Sequence, residues 1–172
     1  EIFSWKSKDE DGEMYEYLSE GMRPYRNSEK LWGFADKNFK VAISCEYDRV
    51  EEFHNDMAII YKSDKAGIID KQGNVLLEPV YETIVPVPEK GYAIVQRGGR
   101  MQLISTTSFK PVSNEYDAIG RGDKVLVVIE NGRIGFIGND GSELVAPQYQ
   151  ECESFAFWDD YAWVKQSGKW IC

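Results

Sequence analysis

Short apolar runs alternate with polar turns along most of the chain. The runs MAIIYK and KAGIID are separated by Ser63 and Asp64, VLVVI and RIGFI by ENG, and YAWVKQ and KWIC by SG. The runs are four to six residues long and rich in β-branched and aromatic residues, and no eleven-residue window favours a helical stripe over alternation. Since Gly, Asn, Asp and Ser bound the runs, the pattern predicts antiparallel β-hairpins throughout.

The pattern repeats with a period of about 34 residues, which is in the range of repeat architectures. The tyrosines of CEYD, PVYE, NEYD and PQYQ follow one another at intervals of 34, 35 and 33 residues: Tyr47, Tyr81, Tyr116 and Tyr149. Fourteen positions before each lie Gly33, Gly67, Gln102 and Gly135, and eight before each lie Phe39, Gly73, Ser108 and Gly141. Two landmarks in one register establish the repeat, and the third copy is the most divergent.

The predicted fold is therefore all-β, with about five tandem copies of an antiparallel unit of three or four strands. The expected boundaries within a single domain, 1–172, are a part-copy at 1–29, copies at 30–64, 65–99, 100–132 and 133–168, and a part-copy at 169–172. One copy cannot bury its own apolar face, so neighbouring copies must cover it. A curved, solenoid-like array and a small propeller-like ring, in which the two part-copies join, both satisfy this requirement.

Two stretches, LWGFADKNFKVAISCEYDRVEEF and YAWVKQSGKW, resemble the bacterial WG-repeat family. Copies in that family run as a Lys-Trp-Gly strand, an acidic-Gly turn, a Tyr-Asp pair and a Ser-Glu-Gly segment, which LSEGMRPY matches. The Trp-Gly pair is intact at Trp32-Gly33, and the equivalent pairs are Ala66-Gly67, Met101-Gln102, Ile134-Gly135 and Trp170-Ile171. The resemblance implies a bacterial β-repeat module, often attached to other domains and mostly without known catalysis.

Charge narrows the class of partner. Lys and Arg number 20 against 29 Asp and Glu, which gives a net charge of -9 and a pI near 4.7. Such a surface disfavours nucleic acid and anionic membranes, and it permits a basic protein partner. No run of 18 apolar residues exists, so we expect no membrane insertion. Because the chain starts at Glu1 and not at Met, we expect that processing or truncation has removed a segment, and localisation stays open between the cytoplasm and the cell envelope.

Catalytic signals are few. His54, the one histidine, lies in the polar stretch EEFHND, which is typical of a solvated loop. No nucleophile elbow, zinc pair or P-loop occurs, so the sequence predicts no enzyme, no cofactor and no metal site. Cys45, Cys152 and Cys172 are too few and too scattered for a disulfide framework, and we expect them to be small buried hydrophobes that do not pair.

The stretch FAFWDDYAW, residues 155–163, holds more large aromatics than one core face can accept. The predicted partner-binding residues are Trp158, Asp159, Asp160, Tyr161 and Trp163. Aromatics beside carboxylates are typical of protein hot spots and of sugar sites. The leading hypothesis is a non-catalytic module for protein–protein interaction; the alternatives are an immunity-type inhibitor of a basic toxin or nuclease, and a carbohydrate-binding module. The competing structural interpretation is that Trp158 and Trp163 fill the core at the end of the array.

Overall fold

The computed structural model describes residues 2–6, 11–15, 17–87, 91–122, 125–153 and 163–171, and within them every regular element is a β-strand. The strands form five antiparallel meanders, each pairing neighbours in chain order. Sheet 1 contains β1 (Ile2–Lys6), β2 (Asp11–Tyr15), β3 (Met22–Asn27), β4 (Trp32–Asp36) and β5 (Val41–Tyr47). Sheet 2 contains β6 (Arg49–Val50), β7 (Met57–Lys62), β8 (Lys65–Asp70) and β9 (Val75–Tyr81).

The remaining three sheets follow the same plan. Sheet 3 contains β10 (Thr83–Val87), β11 (Tyr92–Arg97) and β12 (Arg100–Ser105). Sheet 4 contains β13 (Ala118–Gly120), β14 (Val125–Glu130), β15 (Arg133–Gly138) and β16 (Glu143–Tyr149). Sheet 5 contains β17 (Glu151–Cys152), β18 (Val164–Gln166) and β19 (Lys169–Ile171). The predicted all-β fold of tandem antiparallel units is confirmed, and no helix in the described residues is long and apolar enough to cross a membrane.

The sheets are offset from the sequence copies. Residues 30–64, for example, contribute β4 and β5 to sheet 1 and β6 and β7 to sheet 2. Two-residue turns join the central strands of sheets 2 to 5, and both residues of each turn have positive φ, as at Gly98-Gly99 and Asn131-Gly132. Turns of this type match the right-handed twist of the strands they join. The hairpins that the sequence predicts are therefore present.

The four aligned tyrosines occupy equivalent positions. Tyr47 lies opposite Trp32, Tyr81 opposite Ala66, Tyr116 opposite Met101 and Tyr149 opposite Ile134. In each case the tyrosine ends the outer strand or segment of its sheet. Where aspartate follows the tyrosine, it caps the following hairpin: Asp48 accepts a hydrogen bond from the Ser63 N–H, and Asp117 accepts one from the Asn131 N–H, both at 2.7 Å. The Tyr-Asp pair thus joins one sheet to the next.

The repeat glycines stand where the outer strand bulges toward them. The register of β5, β9 and β16 shifts at the same two places, first between the tyrosine pair and the next paired residues and then between that pair and the one after it. A Cβ on Gly67 would lie 2.7 Å from the Leu77 carbonyl oxygen and 2.9 Å from the Pro79 nitrogen. Gly135 is crowded equally, since its Cβ would lie 2.6 Å from the Val145 oxygen. Only glycine admits so close a backbone, which explains this landmark.

The second landmark, eight positions before each tyrosine, is a turn residue with positive φ. In the third copy the sequence alignment places it at Ser108, which is one residue too early. Phe39, Gly73 and Gly141 have φ of 63°, 82° and 84°, whereas in the third copy Phe109, not Ser108, has φ of 54°. The third turn is one residue longer, as its closing hydrogen bond shows: the Ser105 N–H bonds to the Lys110 oxygen, five residues on. In the second copy the Asp70 N–H reaches the oxygen of Asn74, four residues on.

Two compact units are present, Glu1–Ile84 and Val85–Cys172. In the first, the core joins residues of sheets 1 and 2: Met22, Phe34, Ile43, Tyr47, Phe53, Ala58, Ile60 and Ile69. In the second, it joins residues of sheets 3 and 4: Val87, Ile94, Leu103, Tyr116, Ile119, Leu126, Val128 and Ile137. Neighbouring sheets thus cover one another, as the repeat requires.

A surface ion network in the first unit ties a turn of sheet 1 to two turns of sheet 2. The Glu20 carboxylate accepts hydrogen bonds from the backbone N–H groups of Asn55 and Asp56, at 2.8 and 2.9 Å. Lys71 Nζ lies 3.0 Å from Glu20 and 2.6 Å from Asp56. The hydrogen bond from Lys71, followed by that from the Asp56 backbone, lowers the pKa of Glu20. This network fixes three turns through one carboxylate.

Candidate binding surface

One face of sheet 5 carries aromatic and charged side chains together. Because side chains alternate along a strand, Lys165 shares its face with Trp163, two residues earlier. Register places Trp170 and Glu151 directly opposite Lys165 on its two sides. The same register places Glu153 opposite Trp163. We call these five residues the sheet 5 face: Glu151, Glu153, Trp163, Lys165 and Trp170.

The charges of the sheet 5 face are ordered around its lysine. Lys165 Nζ lies 2.8 Å from Glu151 and 5.7 Å from the centre of the Trp170 ring. A cation at that distance from an indole is within range of a cation–π interaction. The Glu153 N–H donates to the Trp163 oxygen at 3.0 Å, which extends the β17–β18 ladder to Trp163. The aromatic residues are therefore held at defined positions while remaining exposed, Trp163 by 47% and Trp170 by 41%.

The opposite face of sheet 5 is more deeply buried where β17 and β18 pair. Val164 is buried and Cys152, its partner, is half-buried. Burial, followed by the nearby Glu153 charge, raises the pKa of the Cys152 thiol. Cys152 therefore stays protonated near neutral pH, which makes it a poor nucleophile. Cys45 is also half-buried, and neither Cys45 nor Cys152 forms a disulfide, whereas Cys172 lies outside the described residues. The two described cysteines are therefore less buried than the sequence predicts.

Of the five predicted site residues, Trp163 lies in the described part of the chain and is exposed. Trp158, Asp159, Asp160 and Tyr161 lie outside the described residues. Sequence reasoning gave no role to Trp170. Its position in the repeat carried the signal, because Trp170 aligns with Trp32 and with the residues that face the other tyrosines.

Other candidate chemistry resolves into turns and surface pairs. His54 is exposed, and its backbone N–H donates to the Met57 oxygen. The basic stretch RGGR, residues 97–100, contains the β11–β12 turn, and Arg100 bonds to Asp117 and, at 2.8 Å, to Glu130. The Glu130 hydrogen bond, together with the charges of both acids, raises the pKa of Arg100. Among the described residues no group of three or more His, Cys, Asp or Glu is placed to hold a metal ion.

Solved structures with similar backbones are distant in sequence. Hsv2 of Kluyveromyces lactis is 8% identical, with a TM-score of 0.41 over 69% of this chain and 42% of that one. A second structure of it, with a complete loop 6CD, has a TM-score of 0.43 over 86% of this chain and 54% of that one, also at 8% identity. HIRA(644-1017) is 10% identical, with a TM-score of 0.34 over 78% of this chain and 49% of that one. The chain thus spans about half the length of each of these structures.

No curated protein sequence matches the chain significantly. The profile of the WG containing repeat matches it three times, at residues 32–65, 67–100 and 134–170. The unmatched stretch between the second and third matches is the third copy, where Met101-Gln102 replaces the Trp-Gly pair. These matches cover more than half of the sequence, with the repeat glycines and hairpins described above, and the chain belongs to the WG containing repeat family.

Proposed function

We propose that this chain is a non-catalytic module that binds a protein partner through the sheet 5 face and the adjoining stretch that contains Trp158, Asp159, Asp160 and Tyr161. The observation that carries the proposal is the pair of exposed tryptophans, Trp163 and Trp170, on one face beside carboxylates. Tryptophan is enriched at interface hot spots, because burying it on binding removes a large apolar area from water.

Charge favours a basic partner. Glu151 and Glu153 flank the tryptophans on the sheet 5 face, and the chain as a whole has a net charge of -9. Asp159 and Asp160 add two acids next to Trp158 in the sequence. Complementary charge raises the association rate more than the affinity, so a basic partner would bind fastest at low salt.

The test is capture of partners from a lysate by the immobilised chain, followed by measurement of binding with each purified candidate. We expect Trp163→Ala to remove the partner and leave the circular dichroism and melting temperature unchanged. Val75→Ala is the matched control, since Val75 is an equally exposed apolar residue in the other unit. Replacing Asp159 and Asp160 by Lys should slow association at low ionic strength and have less effect in high salt.

Three outcomes would contradict the proposal. If Trp163→Ala lowers the melting temperature as much as a core substitution does, Trp163 packs in the core and is not a binding residue. If a partner still binds both the Trp163→Ala variant and the Asp-to-Lys variant, its binding surface lies elsewhere on the chain. Glycan-array binding that is lost in Trp163→Ala, with no protein captured, would support a carbohydrate-binding module instead.

A further inference from the structure

Met101 occupies a repeat position at which no other copy has a sulfur atom. The equivalent residues are Trp32, Ala66, Ile134 and Trp170. In sheet 3 the Met101 side chain is half-buried and packs against the core of the second unit. This position therefore differs chemically from its equivalents, because a thioether can be oxidised to a sulfoxide and reduced again.

The backbone and the side chain of Met101 both hold the segment that leads from sheet 3 to sheet 4. The Met101 backbone exchanges two hydrogen bonds with Tyr116, at 2.8 and 2.9 Å. Its sulfur accepts a hydrogen bond from the backbone N–H of Ile119, and the nitrogen and the sulfur are 3.3 Å apart. Ile119 is buried in β13, in the same core. The thioether thus links β12 to β13 and also fills space between them.

The hydrogen bond makes the two sides of the Met101 sulfur unequal. A thioether sulfur has two lone pairs, and the Ile119 N–H occupies one of them. No hydrogen bond within the described part of the chain reaches the other lone pair. An oxidant therefore meets one free lone pair on this sulfur. Because a sulfoxide sulfur is chiral, oxidation of that lone pair gives a single epimer.

Met57 provides an internal reference in the first unit. Its side chain is half-buried, as that of Met101 is. Its sulfur takes part in no hydrogen bond with the described residues, so both of its lone pairs are free. Met22 is 8% exposed and is closed to an oxidant in the folded chain. Oxidation of Met57 should therefore give both epimers, in contrast to Met101.

We infer that Met101 is a site of reversible oxidation by peroxide, which forms one sulfoxide epimer and weakens the link between sheets 3 and 4. The sulfur attacks one oxygen of hydrogen peroxide, the S–O bond forms as the O–O bond breaks, and the second oxygen leaves as water with both protons. Sulfur loses two electrons and the peroxide gains them.

The consequence for the fold follows from the charge on the product. A sulfoxide sulfur carries partial positive charge, so it no longer attracts the Ile119 N–H. The new oxygen is polar and is placed beside an apolar core, where it lacks the hydrogen bonds that water would give it. Oxidation should therefore destabilise the second unit, and a methionine sulfoxide reductase should reverse the change. This inference does not rest on the proposed function.

The first test measures the epimer. The whole folded chain is treated with hydrogen peroxide and digested, and the peptides are incubated with each of two reductases, one specific for each sulfoxide epimer. Mass spectrometry should show one added oxygen on Met101 and on Met57. One enzyme should remove all of the oxygen from Met101 and the other none, whereas each should remove part of it from Met57. Partial repair of Met101 by both enzymes, or an unoxidised Met101 when Met57 is fully oxidised, would overturn the inference.

The second test measures the structural effect. Peroxide should lower the melting temperature of the parent chain and of Met57→Leu by at least about 2 °C, and should leave that of Met101→Leu unchanged. Leucine nearly conserves the volume of methionine, and Met101→Ile, which copies Ile134, replaces this variant if it does not fold. The Ile119 amide should also exchange faster in the oxidised parent chain. An equal fall in the Met101 variant, or an oxidised Met101 with unchanged melting and unchanged Ile119 exchange, contradicts the proposed link.

Discussion

Sheets 2 and 3 use the same repeat position in opposite ways. In sheet 2, Gly67 lies under the bulge of β9, where the Leu77 oxygen would stand 2.7 Å from an added Cβ. In sheet 3, Gln102 takes the place of the glycine. The outer segment, residues 111–116, forms two isolated bridges to β12, and the Gln102 side-chain amide donates to the Ser113 carbonyl oxygen at 3.0 Å. A tyrosine ends the outer segment in both sheets.

The comparison separates two parts of the repeat that occur together elsewhere in the chain. The tyrosine pairing survives without glycine, whereas the close bulge does not. A hydroxyl replaces part of the lost pairing, because Ser113 Oγ accepts from the Leu103 N–H at 3.0 Å. The glycine is therefore required by the bulge, and the tyrosine marks where one sheet ends.

The largest expected effect comes from filling the glycine. Gly67→Ala should destabilise the first unit by about 3 kcal/mol, the upper part of the range for forcing a buried backbone shift. Urea denaturation gives the magnitude, and hydrogen exchange of the β8 and β9 amides locates it.

Gln102→Gly is the matched control for Gly67→Ala. It should cost only about 1 kcal/mol, since it removes one hydrogen bond and adds backbone freedom to the unfolded chain. Equal losses for the two substitutions would mean that the bulge tolerates a Cβ and that the glycine has another purpose.

An intermediate effect is expected at the turns of the same two sheets. Gly73 has φ of 82°, and a Cβ there would lie 3.4 Å from Ile43 Cγ2, so Gly73→Ala should cost about 1–2 kcal/mol through the left-handed backbone. Phe109 already has φ of 54° as a bulky residue. Phe109→Gly should therefore relieve the backbone and change stability little, because the lost side-chain packing offsets the gain.

Thermal melts of the two turn variants decide between local strain and packing. If Phe109→Gly destabilises the chain by as much as Gly73→Ala, side-chain packing and not φ dominates at this turn. Ser108→Gly is the control for alignment, since Ser108 lies one residue before the turn residue with positive φ and should gain nothing from glycine.

The sequence was informative wherever one residue type has a single physical reason. Glycine under a bulge, a two-residue turn of Gly, Ser, Asn or Asp in a hairpin and a tyrosine facing a strand recur at nearly constant spacing, so the strands and the repeat could be predicted. The one-residue shift to Phe109 could not, because an aromatic residue carries no turn signal. Trp163 was identified from aromatic density. The exposure of Trp170 could not be predicted, because the aligned residues Trp32 and Ala66 are half-buried and buried in their own sheets.

The smallest expected effect is the pH dependence of stability that the ion network at Glu20 causes. It tests how much surface charge contributes to the stability of the first unit. The pKa of Glu20 is lowered from its ordinary value of 4.5, first by the hydrogen bond from Lys71 and then by the Asp56 N–H. A carboxyl with a lowered folded-state pKa adds stability above its unfolded-state pKa, and that contribution is lost as the pH falls through the folded-state value. Because Glu20 is about one-third exposed, solvent screening limits the contribution, and Glu20→Gln should cost less than about 1 kcal/mol at neutral pH. The difference in stability between the variant and the parent chain should begin to shrink as the pH falls below 4.5 and should vanish once the pH is below the folded-state pKa of Glu20. In hydrogen exchange the difference should be confined to β3 and β7. A constant difference between them at every pH would show that Glu20 acts through packing and not through its charge.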